Sequence, residues 1–549
     1  MIAWRPVLPE RGSVYNNNRE AIVSELDYWT TLIREGRIGR REFLGRAAAL
    51  GISTALATSL AGTAALAATP KRGGHLVMGI DSAGSGDSID PATYTANYMQ
   101  VVGMQFYNTL LEVNEHGKVL PSLAESYEAK PGASVWVIKL RKGVTFHNGK
   151  EMTAADVVYS VNHHRAKDSK SAAKAFLDPV TDIKASDKYE VTVTLNAGNA
   201  DLPFILADYH IGIVPEGEAF DKGVGTGAYI LENFTPGVKA TTKRNPNYWN
   251  AGKRGWVDSI ETVAINDPTA RVTALQSGQI HIMNRISPNI VDMVKKNPKL
   301  VIYNYTSAGH YCFPMRADTA PFDNKDLRLA LKYGINREQI VKTILRGYGK
   351  VGNDSPIPSF DPFYAADIPQ RHYDPDKAKF HMKKSGYDGP IPLSTADAAF
   401  AGAVDTAQLM QAALSKAGIQ LQVTREPSDG YWDNVWMKKA FCASYWGGRP
   451  TADLMFSVAY KSDAPWNESF WKRPDFDQTL AAARSELDFA KRKKMYHDLQ
   501  AMVVDEGAEL IPMFNNFIEG TSKKVKGYVP VPYLEVSGLR AAEKVWLEG

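Results

Sequence analysis

The chain has 549 residues, 44% of them hydrophobic, 23% charged and 10% aromatic, with 64 basic against 60 acidic side chains and a net charge of +4. No polybasic block or acidic tail occurs, so neither nucleic acid nor an anionic membrane surface is an expected partner. Past residue 68 there is no run of about 18 apolar residues, the length a spanning helix requires.

In chain order, Ile22, Leu26, Trp29 and Ile33 stand at three- and four-residue spacing and predict a leader helix over 20–37, with Asn18 as its cap. The leader either binds a targeting chaperone or is a tolerated extension. Arg40-Arg41-Glu42-Phe43-Leu44 follows, then an alanine-rich, weakly apolar run to about Ala68. The run resembles a twin-arginine export signal carried by Arg40, Arg41, Phe43 and Leu44. Its glycines, serines and threonines make a poor membrane anchor, and Ala65-Leu66-Ala67 ahead of Pro70 suits cleavage near residue 67. No cysteine closes the run, so a lipid anchor is not expected. The exported protein should be free in a Gram-negative periplasm, with the twin-arginine translocase as a transient partner.

Beyond the signal, roughly 480 residues allow two to four domains. Periodicity predicts strands at 75–80, 135–140, 189–195, 260–265, 300–305 and 419–425, and helices at 154–165, 268–277, 325–334, 337–345, 375–385 and 404–417. Thr153 with Asp156 reads as a capping-box start, and Gly418 as a helix stop. Strands and helices do not alternate strictly, which indicates α/β lobes with mixed sheets. Cys312 and Cys442 form either one disulfide or two buried thiols.

Several separated segments identify the chain further. They include Ser88-Ile89-Asp90-Pro91, Leu120-Pro121-Ser122-Leu123-Ala124-Glu125, Leu140-Arg141-Lys142-Gly143 running to Phe146-His147-Asn148-Gly149, Gly225-Thr226-Gly227-Ala228-Tyr229, Arg244-Asn245-Pro246-Asn247-Tyr248-Trp249, Leu275-Gln276-Ser277-Gly278 and Ile335-Asn336-Arg337. In this order, across essentially all of 75–530, they resemble the family 5 extracellular solute-binding proteins of ABC importers, which hold dipeptide-, oligopeptide- and nickel-binding receptors. The resemblance implies a type II periplasmic binding protein of the large three-domain class, whose two lobes close on an interlobe cleft. Lobe I would comprise 72–112, 215–306 and 510–549 with a domain inserted at 113–214, and lobe II would be 307–509. It also implies ABC permease subunits as partners and a monomeric receptor without cofactor or metal.

Most of these motifs have scaffold readings. Asn148-Gly149 makes a tight turn stapled by Phe146. Gly225 and Gly227 allow two backbones to approach closely above Tyr229. Asn245 to Trp249 reads as a turn closed by two aromatics. His281, where the family usually has Asp, reads as surface variation.

The ligand segment is expected at Ser444-Tyr445-Trp446-Gly447-Gly448-Arg449-Pro450-Thr451-Ala452-Asp453, a strand ending in a glycine- and proline-rich loop. In peptide-binding relatives the matching loop has Trp and, about three residues on, an Asp that pairs with the peptide ammonium. Here Trp446 is kept and Arg449 takes that spacing, which inverts the charge. An arginine fork suits carboxylate or phosphate, unless Arg449 pairs with Asp453 or another acid and only stiffens the loop. Arg316 is a second candidate; the resemblance gives Trp446 the best claim as a cleft wall, and Tyr94, Tyr431 and Trp432 are further candidates. Trp466 and Trp471 read as core.

Enzyme chemistry is not expected. No histidine pair has metal-ligand spacing, and neither a nucleophile elbow nor a phosphate-binding loop occurs. An exported hydrolase stands as the alternative class. Peptide or an amino-acid-derived solute is the expected ligand, with opines, oligosaccharides, metal chelates and organic anions as alternatives.

Overall fold

The computed structural model describes residues 69–169, 171, 173–428 and 430–548; the leader helix and export signal lie outside them. The chain divides into two compact units, Met1–Gly73 with Trp546–Gly549, and Gly74–Val545. Of the first, only 69–73 and 546–548 are described. Everything below concerns the second.

Its frame is a nine-stranded sheet. We label β1 (His75–Ile80), β2 (Ser259–Ala264), β3 (Ile282–Met283), β4 (Leu300–Pro314), β5 (Ser444–Trp446) and β6 (Glu509–Ser522). Starting at one edge the order is β5, β4, β6, β3, β1, β2, followed by the hairpin of Lys239–Arg244 and Tyr229–Thr235, with Gly349–Val351 added beside β6. β1 runs parallel to both β2 and β3, whereas β4, β5 and β6 pair antiparallel. At about 3.3 Å per residue, β4 and β6 each reach roughly 50 Å, too long for one small domain. They form the longest antiparallel pair of the sheet.

The pairing changes register between Thr306 and His310. There the Ser307 hydroxyl donates to the Asn515 carbonyl (2.7 Å) while accepting from Gly309 N–H (3.0 Å). Polar bonding thus holds the irregular joint where ladder bonds lapse. The 300–305 prediction caught only the first half of β4, because Ser307-Ala308-Gly309 interrupts the apolar pattern.

Between β1 and β2 the chain builds a four-stranded antiparallel sheet, with Ala124–Ala129, Val135–Leu140, Glu190–Leu195 and Val180–Asp187 in that order, and the helix Ala154–Arg165. Asp156 accepts from the Thr153 backbone N–H (2.7 Å) and hydroxyl (3.0 Å), as the capping spacing predicts. Farther along the chain, Ile391–Thr395 and Leu421–Arg425 pair parallel around the helix Ala403–Ser415, and Gly418 takes the left-handed turn (φ +73°) that ends the helical segment. One apolar cluster joins the two regions, running from Leu110–Ile213 residues to Cys312–Phe514 residues. Across that junction Arg492 donates to Asp201 (2.6 Å) and Ala200 N–H to the Arg484 carbonyl (3.0 Å).

The scaffold motifs settle into place. A Cβ on Gly225 would stand 2.0 Å from the Phe106 carbonyl oxygen, and one on Gly227 2.5 Å from that of Gln105, so only glycine permits this backbone approach. Tyr229 is buried beside them. His281 is not a surface variation: its Nδ1 accepts the Val77 backbone N–H at 3.0 Å, supplying an acceptor beside β1.

Cys312 and Cys442 are free and buried, which resolves the choice in favour of two thiols. Burial pushes both well above the ordinary thiol range, so the thiolate is suppressed. An aromatic disulfide reagent added to native protein is expected to titrate neither cysteine, and to titrate two after unfolding.

Candidate ligand cleft

On the first-lobe side, the tips of the parallel strands carry the polar groups. Asp81 follows β1, and Asn284-Arg285 follows β3. Carboxyl ends of parallel strands are where α/β sheets place ligands. Asn284 donates to Asp81 (2.8 Å), while Arg285 donates through Nε to Glu535 (2.9 Å) and through Nη1 to Asp81 (3.3 Å). The Arg285 side chain remains 40% exposed. Burial, the largest influence, lifts Glu535 to about 7, against the pull of Arg285. Arg285, Ser82, Val536 and Ser537 all have positive φ (+48°, +64°, +54° and +58°), a cluster of strained backbone around one ion trio.

The second-lobe side is aromatic. In the β4–β5 ladder Tyr311 stands opposite Tyr445, and His310 opposite Trp446. Opposed residues share a face, so the two tyrosines point one way and Trp446 the other. Tyr311 lies flat on Phe400 (4.1 Å, 6°), and Tyr445 packs edge-on against Trp432 (5.5 Å, 71°). Tyr445 and Trp432 are each 38% exposed. Tyr445 and Tyr311 both lie within electrostatic reach of Arg285, beyond the tips of β1 and β3.

Trp446 backs the wall rather than forming it. Its indole N–H donates to Glu468 (2.7 Å), a fully buried carboxylate that also accepts from Trp436 Nε1, Ser444 Oγ (2.8 Å) and Cys312 Sγ (3.3 Å). Two of the four partners, the tryptophan N–H groups, can only donate, which favours the carboxylate, while burial pushes Glu468 upward. Among the described residues, Cys312, Glu468 and Glu509 are the one group whose potential metal-ligand atoms lie within 4.8 Å of one another. Both Glu468 oxygens are already engaged, so the cluster is a hydrogen-bond hub under the aromatic wall. Glu468→Gln puts an amide N–H where only donors converge and leaves at least one buried donor unsatisfied. A loss of about 1–3 kcal/mol in urea unfolding is expected, with a red shift of tryptophan emission.

Arg449 resolves the central ambiguity. Asp453 is buried and committed elsewhere, to Arg484 (3.2 Å) and the Tyr496 hydroxyl (3.3 Å). The Arg449 guanidinium instead lies over the Trp446 ring (5.7 Å) and donates to the carbonyls of Gly447 (3.4 Å) and Gly448 (3.2 Å). Among the described residues, no carboxylate oxygen lies within 4 Å of it. Its charge reaches Asp208 and Tyr209 on the opposing side.

The other predicted residues fall differently. Arg316 is held by Asp318 through two bonds (3.1 and 2.9 Å) and lies on Phe470 (4.1 Å), so it does not join Arg449. Tyr94 is fully buried, donating to the Ile89 carbonyl (2.8 Å), and Tyr431 is buried, donating to that of Ala443 (2.8 Å). Both are therefore core residues, and of the four expected walls Trp432 alone is exposed, Trp446 being buried as well. Sequence reasoning missed Asp81, Arg285, Glu535, Tyr311, Phe400 and Asp208. The available signal was positional: Asp81 and Arg285 directly follow parallel strands.

Residues 118–468 match the bacterial extracellular solute-binding proteins, family 5 (middle region). The chain belongs to this family. Among curated relatives, the glutathione-binding protein GsiB of Pectobacterium atrosepticum is 26% identical over 475 residues, covering 81% of this chain and 90% of the relative. GsiB of Escherichia coli K12 is 26% identical over 468 residues, with the same coverage. Helicobacter pylori DppA, solved with the peptide STSA, superposes with a TM-score of 0.77 at 24% identity, covering 87% of this chain and 99% of that one. Bacillus subtilis AppA, solved with a nonapeptide, gives 0.76 at 21% identity, covering 88% and 100%. These likenesses establish the two-lobed periplasmic-binding-protein fold for this family 5 solute-binding protein. Among the described residues no helix is long and apolar enough to cross a membrane.

Proposed function

We propose that this family 5 receptor captures a peptide or amino-acid-derived solute bearing an anionic group, and delivers it to the permease of an ABC importer. The single observation that carries the reading is Arg449. It is a guanidinium on the cleft loop, stacked on Trp446, with only loop carbonyls and no carboxylate as partners among the described residues, so its charge is open to a solute carboxylate. The aromatic face of Tyr311, Tyr445 and Trp432 suits the apolar parts of such a solute. The 26%-identical relatives are named for glutathione, a peptide with two carboxylates, which agrees with this charge. Closure of the lobes desolvates the solute, so each of its polar groups must find a partner. The receptor works as a monomer, unanchored in the periplasm after twin-arginine export, and performs no chemistry on its cargo.

The test is mass spectrometry of solute co-purifying with natively exported protein. Calorimetric titration with glutathione, di- to tetrapeptides, an opine, an oligosaccharide and a nickel–histidine chelate completes it. Stoichiometric binding of a carboxylate-bearing peptide without turnover is expected. Retention of a neutral sugar, or product formed with catalytic stoichiometry, overturns the reading.

A further inference from the structure

Beneath the aromatic wall, Glu468 has a second acid for a neighbour. Glu509, the first residue of β6, is fully buried. One of its oxygens, one of Glu468 and the Cys312 sulfur lie within 4.8 Å of one another. The two carboxyls are served very differently. Glu468 accepts from two indoles and meets a hydroxyl and a thiol. Glu509 Oε2 accepts the Tyr460 hydroxyl (2.6 Å), and its Oε1, equally enclosed, has no hydrogen-bond partner.

The groups around Glu509 give a charge there little support. β4 brings Cys312, the residue closing the helix Ala452–Ala459 is Tyr460, and the segment after it carries Glu468. The helix Lys325–Gly334 brings Lys332, whose ammonium is turned onto the carbonyls of Val503, Val504 and Gly507. Among the described residues no cationic nitrogen lies within 4 Å of Glu509. An anion at this position is desolvated, holds one hydrogen bond and faces a second carboxylate, and each condition favours the neutral acid. Burial first, then the Glu468 charge, hold the Glu509 carboxyl well above its usual range, against the Tyr460 bond and Lys332. A proton on Oε1 turns the orphan acceptor into a donor, with the Glu468 carboxylate as a neighbouring acceptor.

The pair lies directly behind the wall. Glu468 holds Trp436 as well as Trp446, and Trp436 packs edge-on against the exposed Trp432 (6.0 Å, 76°), which in turn meets Tyr445. We propose that Glu509 and Glu468 form an acid pair carrying one proton, resident on Glu509, and that this pair is a pH switch under the cleft wall. With the proton in place the wall is held. When the proton leaves Oε1 for water, two buried carboxylates repel each other and the anchorage of Trp436 and Trp446 loosens. The inference rests on the hydrogen-bond hub and is independent of which solute the receptor carries.

The sign of the pH dependence follows from the raised carboxyl. Its contribution to stability is complete below the ordinary value of 4.5 and is lost progressively as the pH rises from there toward the folded value. The experiment compares the full exported chain with Glu509→Gln, which keeps shape and neutrality, and with Tyr460→Phe. Difference infrared spectra at pH 7 are expected to show a protonated-carboxyl C=O band in wild type that Glu509→Gln lacks. In Tyr460→Phe, without the hydroxyl donor, that band should move to higher frequency. Between about pH 5.5 and 7.5 the unfolding constant of wild type should rise relative to Glu509→Gln by roughly tenfold per pH unit, the linkage of one proton. At alkaline pH, tryptophan emission should shift to the red in wild type and stay fixed in Glu509→Gln. Glu535 and Asp361, buried carboxyls lifted to about 7, are present in both proteins and cancel in the comparison. An infrared band that survives in Glu509→Gln, parallel stabilities across the pH range, or identical emission in the two proteins overturns the inference. If Glu509→Gln does not fold, an unmoved band in Tyr460→Phe overturns it instead.

Discussion

Asp354→Ala is expected to lower the stability of the fold by about 3–5 kcal/mol, the cost of breaking a buried ion pair from one side. Asp354 is fully buried, and both its oxygens lie 2.8 Å from Arg337 Nη2. Arg371 donates to it as well, and the Ile511 backbone N–H reaches Oδ1 at 3.0 Å. The Lys332 ammonium is also buried, on the carbonyls of Val503 (3.3 Å), Val504 (3.2 Å) and Gly507 (2.8 Å). Removing the one carboxylate strands two guanidinium groups in the interior, with a lysine nearby that burial has already lowered to about 7. Alanine relieves the backbone less than asparagine would, since residue 354 has φ +60°.

The pH signature has a definite sign. Burial raises the Asp354 carboxyl, but Arg337, Lys332 and Arg371 outweigh it and hold the pKa at about 2 against an ordinary 3.8. A carboxylate depressed in the fold contributes its full stability above about pH 4 and loses it as the pH falls toward 2. Urea unfolding of wild type should therefore weaken across that window. In Asp354→Ala the same interval should contribute no such loss, while the variant is weaker throughout. Equal midpoints for the two proteins at pH 7 would remove the ion cluster as a stabilising device.

Local chemistry made much of this fold legible. The helices at 154–165, 268–277 and 375–385 were bounded correctly because Thr153, Asp267 and Asp374 cap them within three residues, and proline opens the latter two. The helix Phe489–Glu506 escaped notice. Its first turns carry Lys491, Arg492, Lys493 and Lys494, and its place in the core depends on Arg492 reaching Asp201, 291 positions away. The same distance effect governs the cleft. Trp446 and Arg449 were visible as a loop motif, whereas Asp453 could not be assigned without knowing that Arg484 packs beside it. Arg285 acquires meaning only when the tips of β1 and β3 lie side by side and bring Asp81 to it from 204 positions away, and no short-range pattern records that juxtaposition.

Arg449→Ala should weaken binding of the co-purified solute by about 2–4 kcal/mol, or roughly 30- to 1,000-fold. In the closed cleft the solute carboxylate is removed from water, so truncating its partner removes a forked hydrogen bond and also leaves a buried charge uncompensated. The fold should survive the change. Trp446 is held by Glu468 independently of Arg449, and the guanidinium gives its own loop two carbonyl contacts and a stacking contact on the Trp446 ring. Calorimetry on wild type, Arg449→Ala and Arg449→Lys separates charge from geometry. Lysine restores a positive point charge but not the planar fork. An affinity for Arg449→Lys between the other two identifies a bidentate carboxylate contact. Equal affinity for lysine and arginine reduces the role to charge alone, and an unchanged affinity in Arg449→Ala assigns the solute's anionic group to another residue, of which the half-exposed Arg285 is the first to test.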